Sequence, residues 1–140
     1  MISRSAYLKL ALEQMGKPYR WGAKGIDLFD CSGLVTSCLH RLGGPDWRLT
    51  HNTDRLLLEL PETHSPLPGD LCLYGAKNDA NHVMIWLGSC GLVFGASGGG
   101  RDTTSLDISI RQNACVKVKS SHEYRPDFLG FRSLSQYLKE

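Results

Sequence analysis

The sequence contains no long hydrophobic run, and so it offers no candidate for a membrane-spanning helix. Its first ten residues are amphipathic and charged, so they do not have the pattern of a secretory signal peptide. We therefore expect a protein without a membrane partner. We also expect it to be made in the cytoplasm and not to leave by the usual secretory route.

The sequence also lacks a surplus of charge of one sign. Its 16 Lys and Arg residues oppose 14 Asp and Glu residues, which gives a formal net charge of +2. The basic residues do not gather into one run along the chain. This balance argues against a protein that binds nucleic acid.

The five cysteines include no C-x-x-C pair, and their number is odd. Both features argue against a disulfide framework and against a structural zinc site. We expect most of these thiols to be buried as small hydrophobic side chains. The chemical question is whether one of them differs from the rest.

No internal repeat, low-complexity tract or linker divides the chain, so we predict one domain over residues 1–140. The first half has helical patterns: an apolar stripe from Tyr7 to Met15, a helix that begins near Cys31, and a shorter helix from about 52 to 60. The second half has strand patterns at 71–74, 82–87, 91–94 and 114–119. Helices followed by an antiparallel sheet predict an α+β fold.

Cys31 has the sequence context of a reactive thiol. It follows a glycine-rich loop and opens the second predicted helix, for which Asp30 can serve as the N-cap. Free N–H groups at a helix N-terminus stabilise a thiolate, which is the nucleophilic form of cysteine. The other four cysteines lie within predicted helices or strands, where burial would make them inert. The alternative is that Cys31 is one more buried structural cysteine.

His82 is the histidine best placed to act as a base for such a thiol. It opens an apolar strand directly after the polar loop 77–81. The other four histidines lie at helix ends or in polar loops, where we expect them to be solvated. A residue at a strand end is rigidly held and can still reach a cleft. The alternative is a strand-edge histidine with no chemical role.

Four motifs, in a fixed order, resemble those of the NlpC/P60 family of cysteine peptidases. The family patterns and the residues that resemble them are G-x-P-Y-x-[YW]-G at 16–22, D-C-S-G-L-V at 30–35, P-G-D-L at 68–71 and H-V-G-I-Y-L-G at 82–88. The resemblance extends to about Ser97 and covers well over half of the chain.

The resemblance implies a papain-like fold, in which N-terminal helices pack on a central antiparallel β-sheet, and a hydrolase that needs no metal and no cofactor. Cys31 would attack the carbonyl carbon of the scissile amide, and His82 would accept the thiol proton and later protonate the leaving amine. The Cys31 N–H would help to hold the developing oxyanion. Tyr19 matches the family tyrosine near the nucleophile, whose hydroxyl can donate into the cleft.

The same resemblance implies three substrate-binding residues: Asp30, Ser32 and Trp21. In relatives that recognise a free amino terminus, the two residues that flank the nucleophile help to bind the substrate amine, and a carboxylate beside a hydroxyl suits an ammonium group. Asp30 also has its structural interpretation as the helix N-cap, and the two roles do not exclude each other.

The sequence departs from the family at the residue that orients the catalytic histidine. Many members carry a polar residue there, usually His, in a stretch similar to I-H-A-S at the end of the next strand. This chain has Gly95 at that place (or Phe94, if the turn aligns without a gap), and neither side chain can hold an imidazole. Ser97, a water or a backbone carbonyl could replace it, so the third catalytic group stays unknown.

The resemblance makes the stem peptide of peptidoglycan the expected substrate, cut between γ-D-glutamate and a diamino acid. The stretches 98–104, 112–118 and 124–130 resemble phage and prophage members of the family more loosely. That likeness would make tail-tip proteins partners and the virion tail a location. Two alternatives stay open: a papain-like amidase or acyltransferase with another substrate, and a wall-binding module that has lost catalysis.

Overall fold

A computed structural model of the chain describes residues 1–88 and 90–140. The helices are α1 (Arg4–Leu12), α2 (Cys31–Arg41), α3 (Thr53–Glu59) and α4 (Leu106–Arg111). The strands are β1 (Ile2–Ser3), β2 (Glu62–Thr63), β3 (Leu71–Ala76), β4 (Asp79–Trp86), β5 (Val93–Ser97), β6 (Cys115–Lys119), β7 (Phe128–Arg132) and β8 (Leu138–Lys139). No helix within the described residues is long and apolar enough to span a bilayer.

Six of the strands form one antiparallel sheet in the order β2-β7-β3-β4-β5-β6, while β1 and β8 form a separate parallel pair. β3, β4, β5 and β6 are neighbours in chain order, but β7 returns to lie between β2 and β3. Helices that precede an antiparallel sheet confirm the predicted α+β class.

The two faces of the sheet are covered differently. The main core lies between the sheet and helices α1–α3, and alternate side chains of β4, such as Val83 and Ile85, point into it. The intervening side chains point to the opposite face. There a second group, which we call the outer cluster, consists of Cys72, Tyr74, Met84 and Val93 with the half-buried Trp86, Tyr124, Phe128 and Phe131.

A glycine lets α2 approach the loop that precedes it. The Asp30 carboxylate caps α2 by accepting a hydrogen bond of 2.6 Å from the Gly33 N–H, as predicted for this residue. A Cβ atom at Gly33 would lie 2.1 Å from the Ala23 carbonyl oxygen, so a side chain there would push the helix away from the loop. Together the cap and the glycine fix the first residue of the helix, Cys31.

The P-G-D-L turn is tied to both ends of the chain by a buried ion pair. The Arg4 guanidinium lies 3.0 Å from the Asp70 carboxylate, and both side chains are almost fully buried. The same carboxylate accepts hydrogen bonds from the N–H groups of Leu67 and Leu134. The turn therefore holds α1, β3 and the segment after β7 in one arrangement.

The structure corrects the predicted start of the histidine strand. β4 begins at Asp79, so His82 lies within the strand and not at its first residue. Residues 77–81, which the sequence predicts to be a polar loop, form a tight turn at 77–78 followed by the first paired residues of β4. Asn78 takes a left-handed backbone conformation, with φ of 63°, which lets the chain reverse so early.

Other predictions also need correction. Cys90 is exposed and Cys115 is half-buried, so these two thiols are not enclosed in the core as expected. His51 and His122 are not solvated: the first stacks on Trp47 with ring centroids 4.3 Å apart, and the second packs in the outer cluster. The sequence patterns also missed α4 and β7.

Candidate active site

A cleft of about 700 Å³ opens beside the N-terminus of α2 and the first half of β4. All six residues predicted from the motifs line it: Tyr19, Trp21, Asp30, Cys31, Ser32 and His82. Gly95 and Ser97, the two positions considered for the third catalytic group, are not among the lining residues. The fold therefore gathers residues that lie up to 63 positions apart in the sequence, from Tyr19 to His82, into one site.

The Cys31 thiol is held at the junction of α2 and β4. Its sulfur accepts hydrogen bonds from the N–H groups of Val83, Ser32 and Cys31 itself, and these lower its pKa. Burial and the neighbouring Asp30 carboxylate act in the opposite direction and outweigh them, so the pKa of the thiol is raised to about 12. The expected stabilisation of a thiolate is therefore reversed: the Cys31 thiol is neutral at rest.

His82 is almost fully buried, and it directly precedes Val83, whose N–H donates to the Cys31 sulfur. Burial lowers the pKa of the imidazole to about 3, and the positive charge of Arg125 contributes to the shift. His82 Nε2 lies 2.7 Å from the Tyr124 hydroxyl oxygen. The imidazole is therefore neutral at rest, and Nδ1 is the nitrogen left for the thiol proton.

Tyr19 lies in the wall of the cleft with its ring buried. Its backbone N–H donates to the Ala114 carbonyl at 3.0 Å, which ties the loop before α2 to the sheet. Burial raises the pKa of the Tyr19 hydroxyl, and the proximity of Cys31 raises it further. The hydroxyl therefore keeps its proton and can act as a donor next to the nucleophile.

The Asp30 carboxylate is already occupied by groups of the chain itself. One oxygen accepts from the Gly33 N–H and, at 3.4 Å, from the Ser32 hydroxyl. The other accepts from the Gly22 N–H at 3.1 Å and lies 3.8 Å from the Lys24 ammonium. This set of contacts makes the structural role of Asp30 plain, while a role in binding a substrate amine stays a prediction.

Trp21 and the glycine-rich loop 98–104 form one rim of the cleft. The Trp21 N–H donates to the Thr103 carbonyl at 2.8 Å, and the Arg101 guanidinium lies 5.9 Å from the Trp21 ring centroid. The buried Thr103 hydroxyl accepts from the Gly100 N–H and donates to Gln112. The loop is thus fixed against the cleft by hydrogen bonds at its base.

The rim carries charges of both signs. Two carboxylates, Asp54 and Asp79, line one part of the cleft, and three cations, Lys24, Arg101 and Arg125, line others. A ligand with both amino and carboxylate groups could therefore find a partner for each.

The side chain that contacts His82 Nε2 comes from none of the positions considered in the sequence. Gly95 lies on the outer face of β5, where an added Cβ atom would be 2.8 Å from the Met84 sulfur. The group that touches His82 Nε2 is the hydroxyl of Tyr124, in the connection between β6 and β7, and Ser97 lies 3.5 Å from that hydroxyl. Sequence reasoning missed Tyr124, because it belongs to none of the four motifs and lies 42 residues from His82.

Comparison with known sequences matches residues 16–120 to the NlpC/P60 family. The probable endopeptidase p60 of Listeria grayi is 33% identical over 89 residues, which make up 61% of this chain and 17% of that protein. A probable endopeptidase of Mycobacterium tuberculosis is 37% identical over 87 residues, which make up 61% of this chain and 21% of that protein. The chain thus spans about a fifth of the length of these curated relatives.

Solved structures share the arrangement of helices and sheet. The NlpC/p60 domain of the peptidoglycan hydrolase SagA superposes with a TM-score of 0.70 at 26% identity, covering 95% of this chain and 100% of that chain. The peptidoglycan hydrolase RipB of Mycobacterium tuberculosis gives a TM-score of 0.64 at 26% identity, covering 91% of this chain and 62% of that chain. These superpositions confirm the expected papain-like fold.

Proposed function

This chain belongs to the NlpC/P60 family, and from that premise we propose that it is a cysteine peptidase that hydrolyses peptidoglycan stem peptides, with residues 1–140 as one catalytic domain. The observation that carries the proposal is the meeting of Cys31 and His82 in one cleft, with the thiol at a helix N-terminus and the imidazole on the adjoining strand. The relatives named as endopeptidases and peptidoglycan hydrolases support the choice of substrate.

The reaction is an acyl transfer in two steps. As the Cys31 sulfur bonds to the scissile carbonyl carbon, its proton moves to His82 Nδ1. His82 then gives this proton to the nitrogen of the leaving amine, the C–N bond breaks, and a thioester remains on Cys31. A water molecule, deprotonated by His82, attacks the thioester carbon and releases a carboxylic acid, while the proton returns to the Cys31 sulfur.

Two donors are available for the oxyanion that forms in each step. One is the Cys31 N–H at the start of α2, which has no partner within the helix, contacts its own sulfur at rest and can turn to the oxyanion as the sulfur bonds to carbon. The other is the Tyr19 hydroxyl, which keeps its proton because burial raises its pKa. Charge that develops on the carbonyl oxygen would be stabilised by these two donors.

Within this activity we propose a cut between γ-D-glutamate and a diamino acid. A stem peptide carries free carboxylates and amines, and the rim of the cleft offers cations and carboxylates to meet them. Ser32, Trp21 and Asp30 line the cleft together, and we propose that they bind the residue on the amino side of the bond. A free amino terminus would be attracted to this end of the cleft.

Digestion of purified muropeptides, followed by mass spectrometry, tests the activity and names the bond. We expect the wild type to release fragments that end in γ-D-glutamate and Cys31→Ala and Cys31→Ser to release none. Cys115→Ala is the matched control, since this half-buried cysteine lies outside the cleft. Full activity in Cys31→Ala would overturn the proposal.

The same assay separates the alternatives. Hydrolysis or transfer of an acyl group from a lipid or small amide, with no cleavage of muropeptides, would identify an amidase or acyltransferase. Binding of the protein to wall sacculi without cleavage of any substrate would identify a wall-binding module.

The looser resemblance of 98–104, 112–118 and 124–130 to phage and prophage proteins supports a further proposal, that the enzyme acts at a phage tail tip. Detection of the protein in purified virions, in amounts comparable to known tail components, is the result expected. Its absence from virions would overturn this part of the proposal and leave the peptidase activity untouched.

A further inference from the structure

We propose that Tyr124 is the positioning residue for His82, in place of the polar side chain that family members carry on the strand equivalent to β5. The inference rests on the proposed function, because it concerns the same catalytic pair. Its basis is the contact of 2.7 Å between the Tyr124 hydroxyl oxygen and His82 Nε2. Tyr124 is not among the residues that line the cleft, so we place its effect on the reaction in its contact with His82.

The contact selects one form of the imidazole. If His82 Nε2–H donates to the Tyr124 oxygen, Nδ1 carries a lone pair and can accept the proton of the Cys31 thiol. Tyr124 can then place its own hydrogen toward the Ser97 hydroxyl, 3.5 Å away. The same acceptor still serves when His82 is doubly protonated, because Nε2–H is present in that state as well. Burial raises the pKa of Tyr124, so the phenol stays neutral while it does this.

The usual position on β5 is closed by a neighbouring side chain. The family strand H-V-G-I-Y-L-G has glycine where this chain has Met84, and the family residue on the next strand is polar where this chain has Gly95. The two positions face each other on the outer face of the sheet, and the Met84 sulfur occupies the space that a side chain at 95 would need. The large and small residues have thus changed places, and position 95 of β5 does not supply the orienting group.

The connection 120–127, which carries Tyr124, is anchored well enough to supply the group that orients His82. The Tyr74 hydroxyl donates to the His122 carbonyl at 2.7 Å, and the His122 N–H donates to the Gly91 carbonyl at 2.9 Å. The His122 ring packs against the aromatic rings of the outer cluster. These contacts fix the chain on the amino side of Tyr124.

On the carboxyl side, Arg125 forms two hydrogen bonds with Asp127 and donates to the Asn81 side chain at 3.1 Å. Asn81 is the residue before His82, so this bond links the connection directly to the histidine strand. The Lys119 ammonium lies 5.3 Å from the Tyr124 ring centroid and adds a cation–π contact. The phenol is therefore held on both sides, as an orienting group must be.

Tyr124→Phe removes the hydroxyl and keeps the ring in the outer cluster. We expect kcat on muropeptides to fall by about 10- to 100-fold while KM changes by less than about twofold, because substrate contacts are unaltered. Tyr7→Phe is the matched control: it removes a buried hydroxyl that donates to the Val35 carbonyl at 3.3 Å, away from the cleft. An equal loss of kcat in Tyr7→Phe, or no loss in Tyr124→Phe, would overturn the proposal.

A second readout reports on the imidazole itself. Nitrogen-15 NMR of the histidine rings, assigned with His82→Gln, distinguishes the two neutral tautomers. We expect the Nε2–H form to dominate in the wild type and in Tyr7→Phe, and the Nδ1–H form to become populated in Tyr124→Phe. An unchanged tautomer in Tyr124→Phe would show that the hydroxyl does not orient His82.

The tautomer measurement also keeps this proposal separate from the proposed function. A wild type that cleaves no muropeptide would contradict the peptidase activity, and the NMR comparison would still decide whether Tyr124 sets the tautomer. An active wild type whose His82 tautomer and kcat do not depend on Tyr124 would contradict the positioning role alone.

Discussion

Met84 and Gly95 lie side by side on β4 and β5, and a Cβ atom added at Gly95 would be 2.8 Å from the Met84 sulfur. This distance is far below a normal contact, so any side chain at 95 has to displace Met84. The two residues therefore form a coupled pair on the face of the sheet that also carries His82.

We predict that the pair is coupled in stability. Gly95→His should lower the free energy of unfolding by about 1–3 kcal/mol through overpacking, and Met84→Ala should lower it by about 2–5 kcal/mol through the cavity it leaves. In the double variant the imidazole enters that cavity, so the loss should be smaller than the sum by more than about 1 kcal/mol. Urea denaturation of the four proteins measures this, and simple additivity would contradict it.

Asp30 offers a prediction about reactivity. Its negative charge raises the pKa of the Cys31 thiol, so Asp30→Asn should make Cys31 more acidic and speed its alkylation by iodoacetamide at pH 7. The same change removes the acceptor for the Gly22 N–H and should lower stability by about 1 kcal/mol. Alkylation is followed by mass spectrometry of peptides that contain residue 31.

Asp54→Asn is the control for this experiment, since Asp54 lines the same cleft and does not contribute to the pKa of Cys31. An alkylation rate that is unchanged in Asp30→Asn would contradict the electrostatic role of Asp30. A large rise in KM for muropeptides with little change in stability would instead favour the predicted role of Asp30 in binding the substrate amine.

The lowered pKa of His82 predicts an enzyme that tolerates mild acid. With a pKa of about 3, the imidazole is neutral at pH 5, and kcat/KM there should be within about threefold of its value at pH 7. A histidine with the usual pKa of 6.5 would lose about 25-fold over the same range. A midpoint of the acid limb near pH 6.5 would contradict the structure.

The same shift affects stability. The imidazole is harder to protonate in the folded than in the unfolded chain. Protonation of His82 therefore does not change the free energy of unfolding above pH 6.5, and it lowers this free energy progressively as the pH falls from 6.5 toward 3. Circular dichroism at each pH of the kinetic series therefore has to accompany the rates, so that loss of structure is not read as protonation of the base.

The buried Arg4–Asp70 pair predicts a large loss of stability when one partner is removed. Asp70→Ala leaves the Arg4 guanidinium buried without its counter-charge and frees the N–H groups of Leu67 and Leu134, so we expect a loss of about 3–5 kcal/mol. Arg48→Met, which breaks the exposed pair of Arg48 with Asp46, should change stability very little. Similar effects of the two substitutions on thermal unfolding would contradict this account.

The sequence predicted those parts of the molecule whose signals are local. The N-cap and first turn of α2 are encoded within four residues, Asp30 to Gly33, and the structure has the helix begin at Cys31 as expected. The apolar runs of β3 and β4 likewise predicted two paired strands, because they alternate between two covered faces. The cleft residues followed from the family motifs, which place them by order along the chain.

The parts that were missed depend on distant contacts. β7 lies inside the sheet between β2 and β3, but its five residues are all only half-buried and these two neighbours lie far back in the sequence. α4 has only six residues and exposes Leu106 and Ile110, so it carries no apolar stripe. Tyr124 lies in a stretch without periodic hydrophobicity. The one sequence signal was that this chain has a large residue, Met84, and a small residue, Gly95, where the family pattern has a small and a polar one. That difference indicates that the group that orients His82 does not come from position 95.

The position of β7 also determines when the fold around the cleft can be completed during synthesis. While the nascent chain is still shorter than about 134 residues, β3 has no partner on one side, Asp70 lacks the Leu134 N–H, and the connection that carries Tyr124 is not yet fastened. Since domains generally fold as units, we expect the complete cleft to form only after the chain has been synthesised beyond Leu134. A ribosome-bound fragment thus carries Cys31 long before the connection that holds Tyr124 against His82 is in place.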